Sequence, residues 1–201
     1  MPPSPLAKLP CMDYLWTPWR YAYVTSADKA LRPGIAPELD AYYPAGQESR
    51  CVFCNLLGSV DAAIAAGMPP DDAEQAALLV ARGRHNYLCL NRFPYTAGHV
   101  MVVPYVHQAS LAALAPEAAE EMMTMAQKVE QVLAGVYHPE GFNFGLNLGK
   151  AAGAGVDTHL HFHAMPRWTG DTNFMTVVAE TRILPEDLKV TWQRLRTAWA
   201  E

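Results

Sequence analysis

Three of the chain's seven histidines stand at positions 159, 161 and 163, and alternate residues of a β-strand project from the same face. A strand through His159-Leu-His161-Phe-His163-Ala-Met165 would set three imidazoles on one side and Leu160, Phe162 and Ala164 on the other. Packing does not ask for imidazoles in strict alternation, so the row is a candidate site. Two chemistries compete for it. All three rings could hold one transition metal, since neighbours two apart lie about 6.6 Å apart at Cα and two imidazoles can bridge that through one ion. The third would stand about 13 Å from the first, too far without a bend. In the other chemistry one imidazole attacks phosphorus while its second nitrogen donates to a carbonyl, which fixes the tautomer and spreads the cation of the phospho-histidine. The run Gly149-Lys-Ala-Ala-Gly153-Ala-Gly155 just ahead of the row favours this second chemistry. Glycines let backbone N–H groups converge on an anion without side chains in the way.

Four cysteines, Cys11, Cys51, Cys54 and Cys89, are too few and too scattered for a disulfide scaffold in 201 residues. The spacing Cys51-Val-Phe-Cys54 points to metal or redox chemistry. A thiol oxidoreductase is the weaker reading, because no βαβ pattern flanks the pair. Two histidines added to the two cysteines would complete a closed tetrahedral site.

These residues need a scaffold. At 201 residues the chain is one domain with an added arm, and 51% hydrophobic against 17% charged residues gives material for a core. Residues 1–50 are rich in Pro, Tyr and Trp and read as an N-terminal arm laid over the domain, with Trp16 and Trp19 requiring burial. A short helix is expected over 54–66, ended by Gly67 and the Pro69-Pro70-Asp71-Asp72 breaker. Strands are expected over 77–81, 85–91, 100–103, 142–148 and 159–165. Pro116 opens an amphipathic helix running to about 134, stopped by Gly135, with Met122, Met125, Ala126, Val129 and Leu133 as its core stripe. A closing helix over 185–200 follows. Strands, helix, strands, helix give an α+β domain with a mainly antiparallel sheet of about five strands, a long helix packed on it and a C-terminal helix.

A net charge of −5 leaves no electrostatic footprint for a nucleic-acid duplex or an anionic membrane. No apolar run approaches the roughly 20 residues of a membrane span. The amino end has four prolines, one lysine and no apolar h-region among its first ten residues, so it does not read as a secretory signal. A cytoplasmic protein is the expectation.

The row at 159–165 matches the pattern His-φ-His-φ-His-φ-φ, with φ apolar, and so resembles the histidine-triad (HIT) family. Leu90-Asn91-Arg92-Phe93-Pro94, Gly98-His99-Val-Met-Val-Val-Pro104, Asn147-Leu-Gly149 with Gly153, and Pro166-Arg167 extend the likeness over about 51–178, with 179–201 as a helical extension. Trp16-Thr-Pro-Trp-Arg20, the cysteine pair and Pro166-Arg-Trp-Thr-Gly-Asp-Thr-Asn-Phe174 are similar to one branch, the bacterial and archaeal diadenosine tetraphosphate phosphorylases and hydrolases. The resemblance implies a HIT-like fold and a nucleotidyl hydrolase or transferase acting on dinucleoside polyphosphates. His161 would attack the α-phosphorus and carry a covalent nucleotidyl intermediate. His163 would hold the α-phosphate oxygens with Asn147 and backbone donors around Gly149, Gly153 and Gly155. His99 would tune the triad, Asn91 would bond the ribose, and Trp168 would stack on a base or fill a surface groove. By the same resemblance a structural zinc would be held by Cys51, Cys54, His107 and His159, and the protein would be a homodimer. Where relatives carry Ser or Thr shortly before the triad, this chain has Gly155 and Val156, with Thr158 in another register, which leaves leaving-group protonation unassigned. The alternatives are a phosphate-dependent phosphorylase on the same substrates and a non-catalytic nucleotide-binding module.

Overall fold

Runs such as Asn86–Leu90 and Val100–Pro104 are apolar at nearly every position, which suits strands covered on both faces. The computed structural model describes residues 34–47, 49–171 and 186–201. It has five strands, β1 Leu79–Arg82, β2 Asn86–Leu90, β3 Val100–Pro104, β4 Gly141–Leu146 and β5 Phe162–Arg167. They form one antiparallel sheet in the order β1-β2-β3-β5-β4. Four α-helices accompany it: α1 Val52–Ala65, α2 Pro70–Ala77, α3 Pro116–Tyr137 and α4 Leu188–Ala200. The fold is α+β, as expected. Trp16, Trp19 and the segment 172–185, with the start of the expected closing helix, lie outside the described residues.

Because α3 carries the chain to the far edge before β4, β5 returns into the gap between β4 and β3. The histidine row thereby sits inside the sheet beside β3, which has His99 just before it and His107 just after it. One face of the sheet is covered by α3 and α4. There Leu88, Leu90, Val100, Val102, Phe162 and Ala164 pack with Met122, Met125, Val129, Leu133, Trp192 and Leu195. The predicted α3 stripe is this surface, and each such side chain contributes about 1.5–3 kcal/mol on burial. The first turn of α1 covers part of the other face, where Cys51 and Phe53 meet Tyr87, Cys89, Met101 and Val103. A third small core joins Ala36 and Leu39 to α1 and α2 through Val60, Ala63, Ala73 and Ala77. Among the described residues no helix is long and apolar enough to cross a membrane.

Several boundaries differ from expectation, each for a local reason. α1 ends at Ala65, just ahead of Gly67 as expected, but the Pro-Pro-Asp-Asp stretch that follows also starts a helix. Pro70 opens α2, and Asp71 and Asp72 fill its first turn, where carboxylates favour the positive helix end. The first strand accordingly begins at Leu79 rather than 77. Gly135 does not stop α3, because the contacts of Val136 and Tyr137 with the main core carry the helix on to His138, whose left-handed φ of 46° and N–H bond to Ala134 cap it. The histidine strand is regular only from Phe162, since the chain at 159–161 pairs with the loop beyond β3: Leu160 N–H donates to Gln108 O at 2.6 Å. The strand expected over 142–148 ends at Leu146.

Candidate active site

The bond partners of four imidazoles fix where each carries its proton. His161 Nδ1 lies 2.9 Å from the His159 carbonyl. A carbonyl only accepts, so Nδ1 holds the proton and Nε2 keeps its lone pair. His159 Nε2 lies 2.9 Å from Pro104 O, so its lone pair is on Nδ1. Tyr95 N–H donates to His99 Nδ1 at 3.2 Å, which leaves the His99 proton on Nε2, donating to His163 Nδ1 at 2.9 Å. His163 therefore carries its own proton on Nε2. The rings of His161 and His163 stand 4.8 Å apart and nearly perpendicular, at 76°. Two positions apart at the start of β5, the chain thus offers a lone pair at 161 and an N–H at 163. Burial pushes the pKa of His161 down, against the opposing effect of its carbonyl bond, which favours the neutral nucleophilic form. His159 is lowered by burial in the same way.

The row divides at its first member, which faces a different set of groups from the other two. His159 Nδ1 faces Cys51 Sγ at 3.2 Å and Cys54 Sγ at 3.6 Å, and His107 Nδ1 lies 3.4 Å from Cys54 Sγ. The four ligand atoms lie within 4.8 Å of one another. Tetrahedral bonds of 2.3 Å to sulfur and 2.0–2.1 Å to nitrogen would set sulfur and nitrogen about 3.6 Å apart, so this donor set fits a four-coordinate ion. The three-imidazole centre weighed from the sequence is not formed. Burial first, and Cys51 second, push the Cys54 thiol up to about 11. Ser49 and Asn55 hold the turn that presents the cysteines: Cys51 N–H donates to Ser49 Oγ at 3.0 Å and Ser49 N–H to Asn55 Oδ1 at 2.7 Å.

The structure brings His99, His161 and His163 together and assembles Cys51, Cys54, His107 and His159 separately. Gly149 and Gly153 take positive φ of 79° and 83° around the single turn Lys150–Ala152, conformations that favour glycine. Gly155 is exposed, and its φ is not among the positive ones. Lys150 Nζ sits 3.7 Å from Asp157 Oδ2 across the loop. Asn147 is half-buried one residue beyond β4, and the β4–β5 register carried one step further sets it opposite His161. Asn91 ends β2 in a turn, its Oδ1 accepting from Phe93 N–H at 2.9 Å. Trp168 meets Tyr137 of α3 edge-on at 6.3 Å, a contact on the helix side of the sheet rather than with the histidines.

Two aromatic residues of the site escaped the sequence reading. Phe53 packs on His161 at 5.1 Å and on His159 at 5.5 Å. Its place between the two cysteines was the available signal. Tyr95 packs on His99 at 4.9 Å and on His163 at 6.4 Å. It falls between the motifs Leu90–Pro94 and Gly98–Pro104 and belongs to neither.

The chain matches the HIT domain over residues 72–170, which leaves Cys51 and Cys54 ahead of the matched part. It is 36% identical over 189 residues to a Mycobacterium tuberculosis protein named AP-4-A phosphorylase, spanning 94% of this chain and 85% of that protein. An adenosine 5'-monophosphoramidase of Schizosaccharomyces pombe is 26% identical over 139 residues, 69% of this chain and 90% of that one. Among solved structures, a zinc-bound histidine triad family protein from Mycobacterium smegmatis superposes with a TM-score of 0.54 at 28% identity, covering 75% of this chain and 94% of that chain.

Proposed function

The chain belongs to the HIT domain family, and on that premise we propose that it cleaves dinucleoside polyphosphates of the diadenosine tetraphosphate type at the α-phosphorus, with orthophosphate as the acceptor. The observation that carries this reading is the lone pair on His161 Nε2, fixed by the Nδ1–H bond to the His159 carbonyl at 2.9 Å. In the first step Nε2 bonds the α-phosphorus and the bond to the bridging oxygen breaks. A nucleoside triphosphate leaves and a nucleotidyl-histidine remains. In the second step an orthophosphate oxygen attacks the same phosphorus, the N–P bond breaks, a nucleoside diphosphate leaves and neutral His161 returns. His163 Nε2–H donates to the α-phosphate oxygens, with Asn147 and the backbone of the loop through Gly149, Gly153 and Gly155 as further donors. Asn91 holds the ribose. Most of the acceleration comes from positioning and from donors aimed at developing charge. Likeness to a protein named AP-4-A phosphorylase over 94% of the chain favours phosphate over water as acceptor; hydrolysis is the second reading.

In the same reading zinc is held by Cys51, Cys54, His107 and His159 and serves structurally, tying α1 to the chain ahead of His161. A homodimer joined through α3 and β4 also belongs to it. β4 is the sheet's edge in the single chain, and Phe144 and Met123 are 37% and 55% exposed. A cytoplasmic location suits a nucleotide substrate and reduced thiols.

Product analysis on diadenosine tetraphosphate with and without orthophosphate tests the proposal. ADP and ATP should form only when phosphate is added; AMP and ATP formed in plain buffer would establish the hydrolase instead. His161→Asn should lose at least about a thousandfold in kcat while still binding nucleotide. Activity within tenfold of the parent would show that another group attacks phosphorus, and binding without turnover by the parent would leave a nucleotide-binding module.

A further inference from the structure

Beside His163 the sheet presents an opening that the proposed chemistry does not yet use. β4 pairs with β5 so that Gly145 stands opposite His163, Asn143 opposite Met165 and Gly141 opposite Arg167. Opposite residues of an antiparallel pair share a face, so these three lie on the histidine side. A Cβ placed on Gly145 or on Gly141 would meet nothing within 4 Å. Neither glycine has the positive φ that would call for glycine. Glycine inside a strand weakens it and often marks a close approach by a ligand. Backbone geometry gives no reason for these two, and the room they leave does.

Asn143 borders that room with its amide aimed by its neighbours. Arg167 Nη1 donates to Asn143 Oδ1 at 2.5 Å. Asp171 grips the same guanidinium at Nε, 2.5 Å, and Nη2, 2.8 Å. A guanidinium has only donors, so it must face the amide oxygen, and the amide nitrogen turns the other way as a donor. Asn91 and His99 lie on the β2–β3 side of His163, and Asn143 lies on the β4 side. A two-ended substrate with its ribose at Asn91 therefore sends its other end across β5 toward Asn143. Strand spacing and rise put the Cα atoms of His163 and Asn143 about 8 Å apart, a short phosphate chain's reach.

We propose that Asn143, over the bare strand floor at Gly145, binds the phosphate chain of the leaving nucleotide and so selects long dinucleoside polyphosphates over short adenylyl esters. This rests on the function proposed above. The contact is a neutral amide donor to phosphate oxyanions, and the balanced Arg167–Asp171 pair acts by positioning it.

The test compares kcat/KM for diadenosine tetraphosphate with kcat/KM for the p-nitrophenyl ester of AMP, which lacks the phosphate chain. In Asn143→Asp, which keeps an acceptor for Arg167 and removes the donor, the ratio should fall at least tenfold, mainly through KM for the tetraphosphate. In Gly145→Val, whose side chain fills the opening, it should fall as far while the melting temperature holds. A ratio within twofold of the parent in both variants overturns the proposal. A parent that turns over neither substrate sinks the enzymatic reading, and binding of inorganic tripolyphosphate then decides this inference by itself. Binding at least tenfold weaker in Asn143→Asp supports it, and equal binding refutes it.

Discussion

The three histidines of the row differ because each has a different fixed neighbour. A carbonyl holds the Nδ1 proton of His161, a carbonyl holds the Nε2 proton of His159, and a second imidazole sets the proton of His163. The chain from Tyr95 N–H through His99 to His163 has a measurable consequence. His99→Phe keeps the ring's bulk but removes the donor to His163 Nδ1. That change should lower kcat/KM about 10–100-fold, the usual cost of losing a group that orients a reacting side chain. Steady-state kinetics on diadenosine tetraphosphate would check it, with the melting temperature as control. An effect under twofold would mean that His163 needs no such partner.

At the scale of elements, the join between the β1–β2 turn and α3 is electrostatic. Glu121 of α3 accepts N–H bonds from Arg84 at 2.6 Å, His85 at 2.7 Å and Asn86 at 2.8 Å, and another from the Asn86 side chain at 2.8 Å. Burial opposes the charge on Glu121, but these donors outweigh it and hold its pKa below the ordinary value of 4.5. A carboxylate lowered on folding contributes stability that is complete above its unfolded value and lost as pH falls through the folded one. Glu121→Gln should therefore cost about 1 kcal/mol at pH 7, a figure already reduced for solvent screening of this partly exposed side chain. The gap between variant and parent should begin to narrow as pH falls below the ordinary value of 4.5 and go on narrowing from there. Urea titrations at pH 7 and pH 3 would show this, and a gap constant across that range would contradict it. The opening of β3 is set sterically. Gly98, at φ 74°, lies where a Cβ would come 2.8 Å from the Tyr137 ring, so the residue before His99 seats directly on α3.

For the molecule as a whole, both chain ends of the described fold bear on the sheet that carries the site. In α4, Trp192 is 2% exposed and its Nε1–H donates to Leu79 O at 2.7 Å, which makes this helix part of the main core. Trp192→Ala should cost about 3–5 kcal/mol in urea unfolding, and a loss under 1 kcal/mol would show α4 to be dispensable. At the other end, α1 is tied to the histidine row through the Cys51, Cys54, His107 and His159 group. Protein prepared without chelator should carry about one zinc per chain. Stripping it should lower the melting temperature by ~5–10 °C, the effect of a ligand at a hundredfold its Kd on a chain of this size. Metal analysis beside thermal melts checks both statements, and an unchanged melt after complete removal would mean the four side chains do not depend on an ion.

The histidine row, the glycine-rich turn, the cysteine pair and the α3 core stripe were all legible in the sequence, because each is a local pattern of residue type and spacing. The antiparallel α+β class followed from the same periodicities. What the linear order does not contain is which distant groups meet. The first histidine is set apart from the row because its ring nitrogens meet Pro104 O and two thiols more than a hundred residues upstream. The proton on His163 depends on an imidazole 64 residues away, and the opening at Gly145 exists only once β5 has inserted between β3 and β4. Pro116 opens α3 and α1 ends ahead of Gly67 as their local signals say, whereas the stop at Gly135 fails for a related reason. A local stop signal worth about 1 kcal/mol yields when tertiary packing on the next turn is worth more.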